Sequence, residues 1–339
     1  MLNKILIALL SSGIIYILIA LALVVSQSPG DATMDDTGGD KAPISFAEAV
    51  NADYTTLPPA VMFKARDGSD LHYRRYDAAG ETDRILILVH GSAWNSMQWH
   101  PLASWIASQG LATVIAPDMR GHGENDGVRG DVSYIGQMED DIADLVYVLK
   151  KDNRDARVIL GGHSSGGGFV VRFAGGKNAD AVDGYIALAP FLKYNAPTTK
   201  PNSGGWAQVA TRRIIGLTML NNIRVKGLNH LPVISFAMPR SVLEGPYGQL
   251  ATTTYSYRLN TGFAPRSDYE ADLAAITDPL LVVAGDADEA FRADLYEKTI
   301  SAQTKSGTYV VLPGVSHIGV VTGEAVRPVI GDWIRAHFP

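Results

Sequence analysis

Hydrophobic and polar residues follow three successive patterns along this 339-residue chain. The first is an uncharged apolar run from Ile5 to Val25. As a helix rising about 1.5 Å per residue it would span roughly 32 Å, close to the hydrocarbon thickness of a bilayer. The second pattern, Ser26 to about Leu57, is rich in Gly, Asp, Ser, Thr and Pro and lacks periodicity before Phe46. It predicts a flexible tether reaching roughly 30 Å. The third begins near residue 60, where short β-branched runs recur between turn signals. They are Val61–Ala65, Leu71–Tyr76, Arg84–Val89, Ala112–Pro117, Arg157–Leu160, Gly184–Ala189, Leu280–Ala284 and Thr308–Leu312. Runs such as Ile85-Leu86-Ile87-Leu88-Val89 suit strands covered on both faces of a parallel sheet. Between them, Ile135, Met138, Ile142, Leu145, Val146 and Leu149 fall at helical spacing, as do Val326, Val329, Ile330, Trp333 and Ile334. This alternation predicts a doubly wound α/β domain with an eight-stranded, mostly parallel sheet. Reactive groups are then expected at the carboxyl ends of its strands.

The alternation stops between Phe191 and Arg266. A helix is expected from Trp206 to Leu220, followed by an irregular apolar stretch, Leu228 to Met238. This insertion holds nine basic residues (Lys193, Lys200, Arg212, Arg213, Arg224, Lys226, Arg240, Arg258, Arg266) and one acid, Glu244, a net of +8. The whole chain carries −6, so the remainder carries −14. A basic, apolar cap on an acidic core is the expectation. The chain thus divides into an anchor (1–25), a linker (26–57), a core (58–190 with 267–339) and a cap (191–266).

Lys4 and the amino terminus precede the apolar run, whereas Asp31, Asp35, Asp36 and Asp40 follow it. The positive-inside rule then predicts a single transmembrane helix with the bulk of the chain on the periplasmic or extracellular side. Val24 and Ser26 also suit signal-peptide cleavage, but a signal core usually runs only about 7–15 residues, so a retained anchor is expected. Zero cysteines exclude thiolate metal sites, a Cys nucleophile and disulfides. With 29 basic and 35 acidic residues, the global field disfavours a nucleic-acid partner.

The strongest chemical signal is Gly161-Gly162-His163-Ser164-Ser165-Gly166-Gly167-Gly168, between the strand at Arg157–Leu160 and a helical run from Phe169. Gly162 to Gly166 fits G-x-S-x-G, in which glycines allow a sharp strand-to-helix turn that exposes the serine. The run lacks G-K-[ST] and fits no G-x-G-x-x-G, so a phosphate loop is disfavoured. Ser164 needs a base, and the base needs a carboxylate. His317, in the loop after the last predicted strand, has the required setting. His72, His100, His230 and His337 do not. The acid should lie in Gly285-Asp286-Ala287-Asp288-Glu289, where three carboxylates compete. Oxyanion-binding N–H groups are expected from Ser165, at the start of a helix, and from Ser92 or Ala93 after the strand ending at Val89. His90 and His122 read as structural.

With these residues the chain resembles the serine α/β-hydrolase superfamily, and within it the lysophospholipase and monoacylglycerol-lipase group, akin to proline-iminopeptidase-like hydrolases. The resemblance covers residues 60–190 and 268–339. It rests on His90-Gly91, Asp118-Met119-Arg120-Gly121-His122-Gly123, Gly162 to Gly166, Gly285 to Asp288, and Gly314-Val315-Ser316-His317. It implies an α/β-hydrolase fold and, from the G-x-x-D pattern, Asp288 as the triad acid. Ser165 stands where the group usually has a bulky residue. The resemblance implies a serine ester hydrolase acting on an acyl ester or lipid; together with the apolar run at Ile5 to Val25 it gives a membrane-anchored enzyme, and no cofactor or metal is expected. A peptidase of the proline-iminopeptidase type, or an idle binding protein on this fold, are the alternatives. The basic cap is expected to face an anionic leaflet.

Overall fold

The apolar runs form one sheet because their side chains are buried on both faces. In this computed structural model, which describes residues 2–30, 33–34, 44–151, 153–201 and 206–339, eight strands make up the core. They are β1 (Ala60–Lys64), β2 (Asp70–Tyr76), β3 (Arg84–Val89), β4 (Thr113–Pro117), β5 (Arg157–His163), β6 (Gly184–Leu188), β10 (Leu280–Gly285) and β11 (Gly307–Leu312). Their spatial order is β11-β10-β6-β5-β3-β4-β2-β1. Only β2 runs against the others, antiparallel to both β1 and β4. Leu86, Ile87, Leu88 and Val89 of β3 are wholly buried, as a central parallel strand requires.

Helices α3 (Gln137–Leu149), α4 (Ser165–Ala174) and α6 (Val326–His337) are among those that cover the sheet. Each turns an apolar stripe inward: Met138, Ile142 and Leu145 from α3, and Val326, Ile330 and Ile334 from α6.

The insertion after β6 is built differently from the expectation. Ala207–Val209 (β7), Pro232–Phe236 (β8) and Thr254–Ser256 (β9) form a three-stranded antiparallel sheet in the order β9-β8-β7. The predicted helix therefore starts late, as α5 over Thr211–Asn222, and the apolar stretch from Leu228 contains a strand. Cross-strand pairing, such as Ala207 with Phe236, overrides the local pattern. Gly204 and Gly205 lie outside the described residues.

Helix α1 runs from Leu2 to Val25 and packs along α5. Ala20 and Val24 are buried against Leu217 and Leu220. Tyr16 Oη donates to the Met219 carbonyl at 3.0 Å, and Arg213 Nε donates to that of Val24 at 3.0 Å. A cation at this helix end also suits the helix dipole. A Cβ on Gly216 would lie 2.5 Å from the Ala20 carbonyl oxygen, so only glycine permits this approach. Among the described residues no helix is long and apolar enough to cross a membrane; the side chains of residues 5–9 fall outside them. The fold gives the expected transmembrane anchor no support of its own.

The stretch expected to be a loose tether is packed where it is described. Thr33 and Met34 pair with Met238 and Pro239 of the cap. Ile44, Phe46 and Ala49 are buried, and α2 spans Ala47–Val50. The Phe46 ring lies 5.4 Å from that of Trp94 and 5.2 Å from that of Trp206. Burial of these three side chains holds the chain down, despite the polar composition around them.

Candidate active site

Ser164 sits between β5 and α4 with φ 54° and ψ −117°, a conformation that costs a non-glycine residue on the order of 1–3 kcal/mol. Its surroundings enforce the strain. A Cβ on Gly162 would lie 2.3 Å from the Gly166 carbonyl oxygen, and one on Gly166 2.3 Å from that of Val89. Both motif glycines are therefore required for the chain to turn here. The Ser164 N–H donates to the Leu188 carbonyl at 2.9 Å, which ties the turn to β6.

His317 lies in the loop after β11 and is almost wholly buried. Its Nδ1 is 2.8 Å from Asp288 Oδ2. Asp288, in the loop after β10, is also buried, and its Oδ1 accepts the backbone N–H groups of Ala290 and Phe291, each at 2.8 Å. Burial would raise the Asp288 carboxyl above its usual range. The neighbouring His317 and the two backbone N–H donors outweigh that and hold it lower. The other two carboxylates point elsewhere. Exposed Asp286 accepts the Gly314 N–H at 2.6 Å. Glu289 accepts the His317 N–H at 2.9 Å and the Ser45 N–H at 3.1 Å. No hydrogen bond joins Ser164 Oγ to His317 among the described residues, although such contacts often tighten only when substrate binds.

Ser92 and Ser165 lie side by side, with hydroxyl oxygens 2.6 Å apart. The Ser165 N–H is in the first turn of α4 and has no intrahelical acceptor. The Ala93 N–H is engaged by Tyr255 Oη at 2.7 Å, so of the two expected candidates in this loop Ala93 is already occupied. Tyr255, on β9, was not legible in the sequence as a site residue. Its hydroxyl also meets His122 Nε2 at 2.7 Å. His122 Nδ1 faces the Arg120 carbonyl at 3.1 Å. That oxygen can only accept, so Nδ1 carries the proton and Nε2 receives the Tyr255 hydroxyl. His90 is likewise held by backbone groups on both ring nitrogens, the Gly91 carbonyl at 2.8 Å and the Met119 N–H at 3.1 Å. Both histidines brace the loop, as expected.

Two cavities border the N-terminal stretch. One of about 200 Å³ is lined by Ala93 and Trp94 of the loop, Ala49 and Tyr54 of the N-terminal stretch, and Met238 and Val242 of the cap. The other, of about 440 Å³, is more polar in its lining, with Glu48, Asp53, Thr56 and His100. It includes none of the residues grouped around Ser164.

A strained serine at a strand-to-helix turn on an eight-stranded, mostly parallel sheet is the arrangement of the α/β-hydrolase fold, and within it this chain is similar to monoacylglycerol lipases. The chain belongs to the serine aminopeptidase S33 family, which it matches over residues 80–320. A monoacylglycerol lipase from Mycolicibacterium smegmatis is 26% identical over 271 residues, covering 75% of this chain and 88% of that protein. An uncharacterized protein from Mycobacterium tuberculosis is 35% identical over 117 residues, 34% of this chain and 31% of its own length, so this match spans under a third of the relative. Among solved structures, a soluble variant of monoglyceride lipase from Saccharomyces cerevisiae, in complex with a substrate analog, has a TM-score of 0.65 at 18% identity. That match covers 84% of this chain and 96% of the yeast chain, and it speaks for the fold alone.

Proposed function

We propose that the protein hydrolyses carboxylic esters, with Ser164 as nucleophile, His317 as general base and acid, and Asp288 as the orienting carboxylate. The reading is carried by the buried 2.8 Å contact between His317 Nδ1 and Asp288 Oδ2 beside the strained serine turn. Ser164 Oγ attacks the acyl carbonyl carbon while His317 Nε2 takes its proton. The backbone N–H groups of Ser92 and Ser165 receive the developing oxyanion. His317 then protonates the departing alcohol. Water, deprotonated by His317, attacks the acyl-enzyme, and Ser164 is regenerated. Asp288 keeps the proton on Nδ1 throughout and stabilises the imidazolium.

A lipid-like acyl ester is the substrate class this reading favours, given the similarity to monoacylglycerol lipases. The 200 Å³ apolar cavity beside the Ser92 loop suits a short chain, since it is smaller than the roughly 300 Å³ of a small drug-sized pocket. The family's aminopeptidase description raises the peptidase alternative, which needs a carboxylate for a free amine. Glu244 is exposed, and Glu289 is already bonded to two backbone N–H groups. Both facts favour the ester. p-Nitrophenyl esters of graded length, monoacylglycerol, lysophospholipid and an aminoacyl p-nitroanilide should be compared, with Ser164→Ala as control. Ester turnover that vanishes in the variant supports the reading; faster anilide turnover contradicts it.

The reading includes a membrane-anchored enzyme whose catalytic domain lies outside the cytoplasm, with the basic cap toward an anionic leaflet. It draws on the uncharged run Ile5 to Val25 and the +8 insertion. Each basic residue near such a surface contributes about 1 kcal/mol, fading within a Debye length. A chain beginning at Ile44 should bind anionic vesicles weakly and in a salt-sensitive way. Equal binding to neutral and anionic vesicles at low salt contradicts the role given to the cap.

A further inference from the structure

Three loops must keep register for the proposed chemistry: the Gly91–Trp94 loop, the turn at Ser164, and the loop bearing His317. One buried hydrogen-bonded chain touches all three. The Gly91 N–H donates to Gln98 Oε1 at 2.8 Å. Gln98 Nε2 lies 2.7 Å from His163 Nδ1, and His163 Nε2 lies 2.9 Å from the His317 carbonyl oxygen. Gln98 is 5% exposed and His163 1%, so water does not compete for these groups.

Chemistry fixes every proton in this chain. The His317 carbonyl only accepts, so His163 Nε2 carries hydrogen. In a neutral ring Nδ1 is then an acceptor, and it takes a hydrogen from the Gln98 amide nitrogen. The Gln98 oxygen is left to receive the Gly91 N–H, as observed. Reversing the amide would set donor against donor at Gly91 and lone pair against lone pair at His163. Protonating His163 would set its Nδ1–H against the Gln98 amide hydrogens. His163 is therefore held neutral although its ring lies 4.5 Å from that of His317. It cannot compete for the proton that His317 takes from Ser164.

We infer that Gln98 and His163 are positioning residues that lock the oxyanion loop, the nucleophile turn and the base loop to one another. The inference rests on the reading of Ser164 and His317 given above. Neither side chain has a sequence motif of its own: Gln98 lies outside every pattern, and His163 is the variable position of G-x-S-x-G.

Gln98→Glu tests this, with Gln98→Met and the pair His163→Gln and His163→Phe beside it. A glutamate keeps the acceptor for Gly91 but presents a lone pair to His163 Nδ1. With that carboxylate ionised, His163 must gain a proton there, either as a cation or by giving up its bond to the His317 carbonyl. The titratable groups facing His163 are His317 and Asp288. A cation beside His317 disfavours protonation of the base, so the acidic limb of the kcat profile moves to lower pH. If His163 changes tautomer instead, the limb stays and His317 loses its anchor. Either way kcat should fall about ten- to a hundredfold, with KM within about twofold. Gln98→Met should lower kcat without moving the limb. His163→Gln, which can still donate to the His317 carbonyl, should retain more kcat than His163→Phe. Folding of each variant is checked by circular dichroism. Folded Gln98→Glu and Gln98→Met proteins with unchanged kcat overturn the inference. Failure of a fluorophosphonate to label Ser164 in the unmodified protein removes the underlying reading, and this inference with it.

Discussion

At the residue scale the site is decided by which of three neighbouring carboxylates reaches the imidazole. Asp286, Asp288 and Glu289 are equally acidic in the sequence and share one loop, so local pattern alone leaves the choice open. Geometry separates them, because only Asp288 is buried against His317 Nδ1, while the other two receive backbone N–H groups. Asp288→Asn should therefore lower kcat by a factor on the order of 10⁴, the loss seen when a serine-protease triad carboxylate becomes an amide. Asp286→Asn should cost less than about tenfold, since it loosens one turn at Gly314. Steady-state kinetics on a p-nitrophenyl ester makes the comparison, and equal small losses would place the acid elsewhere. Ser164 and His317 were legible because each follows a readable strand. Tyr255 and Gln98 were not, since their partners are 162 and 65 residues away in sequence.

At the scale of elements, the core strands were legible and the cap was not, for one physical reason. A strand buried on both faces writes itself as an unbroken apolar run, as at Ile85 to Val89. The cap strands are three to five residues long and partly exposed, so their pairing depends on neighbours that no local pattern reveals. One of them nevertheless reaches the site, through Tyr255. Tyr255→Phe keeps the ring against Phe236 and Phe263 but leaves the Ala93 N–H and His122 Nε2 unpaired. Each orphaned buried group costs about 1–3 kcal/mol, and a shifted Ser92 loop should lower kcat about ten- to a hundredfold. KM should hold, and affinity for a trifluoromethyl ketone should weaken in step with kcat. Unchanged kcat in a folded variant would mean that the cap does not set the loop. The second element-scale contact is between α1 and α5. Gly216→Val places methyl groups where the Ala20 carbonyl now lies, so α1 should detach. Limited proteolysis between Ser26 and Pro29 should then speed up several-fold. Unaltered cleavage would show that α1 is held by other contacts.

For the molecule as a whole, four buried histidines make stability depend on pH. Burial holds His90, His100, His122 and His163 below the usual histidine value. A neighbouring imidazole adds to this at His122 and His163. The folded state therefore resists protons that the unfolded chain begins to bind near pH 6.5. Stability is complete above that value and falls as pH drops below it, until the folded values are reached. The slope is about 1.4 kcal/mol per pH unit for each histidine in that window. Urea midpoints measured from pH 7.5 to 5.5 should be flat above about 6.5 and decline below it. A constant midpoint down to pH 5.5 would contradict the buried, neutral, hydrogen-bonded histidines described here.

The most direct measurement of the central claim is covalent. A fluorophosphonate reacts with a serine only where a base removes its proton and an oxyanion site accepts the developing charge. Peptide mass spectrometry after labelling should find the phosphonyl group on Ser164. Ser164→Ala should abolish labelling, and Asp288→Asn should slow it by orders of magnitude. A folded protein that takes no label at Ser164, or takes it instead on Ser165 or Ser92, would contradict the account.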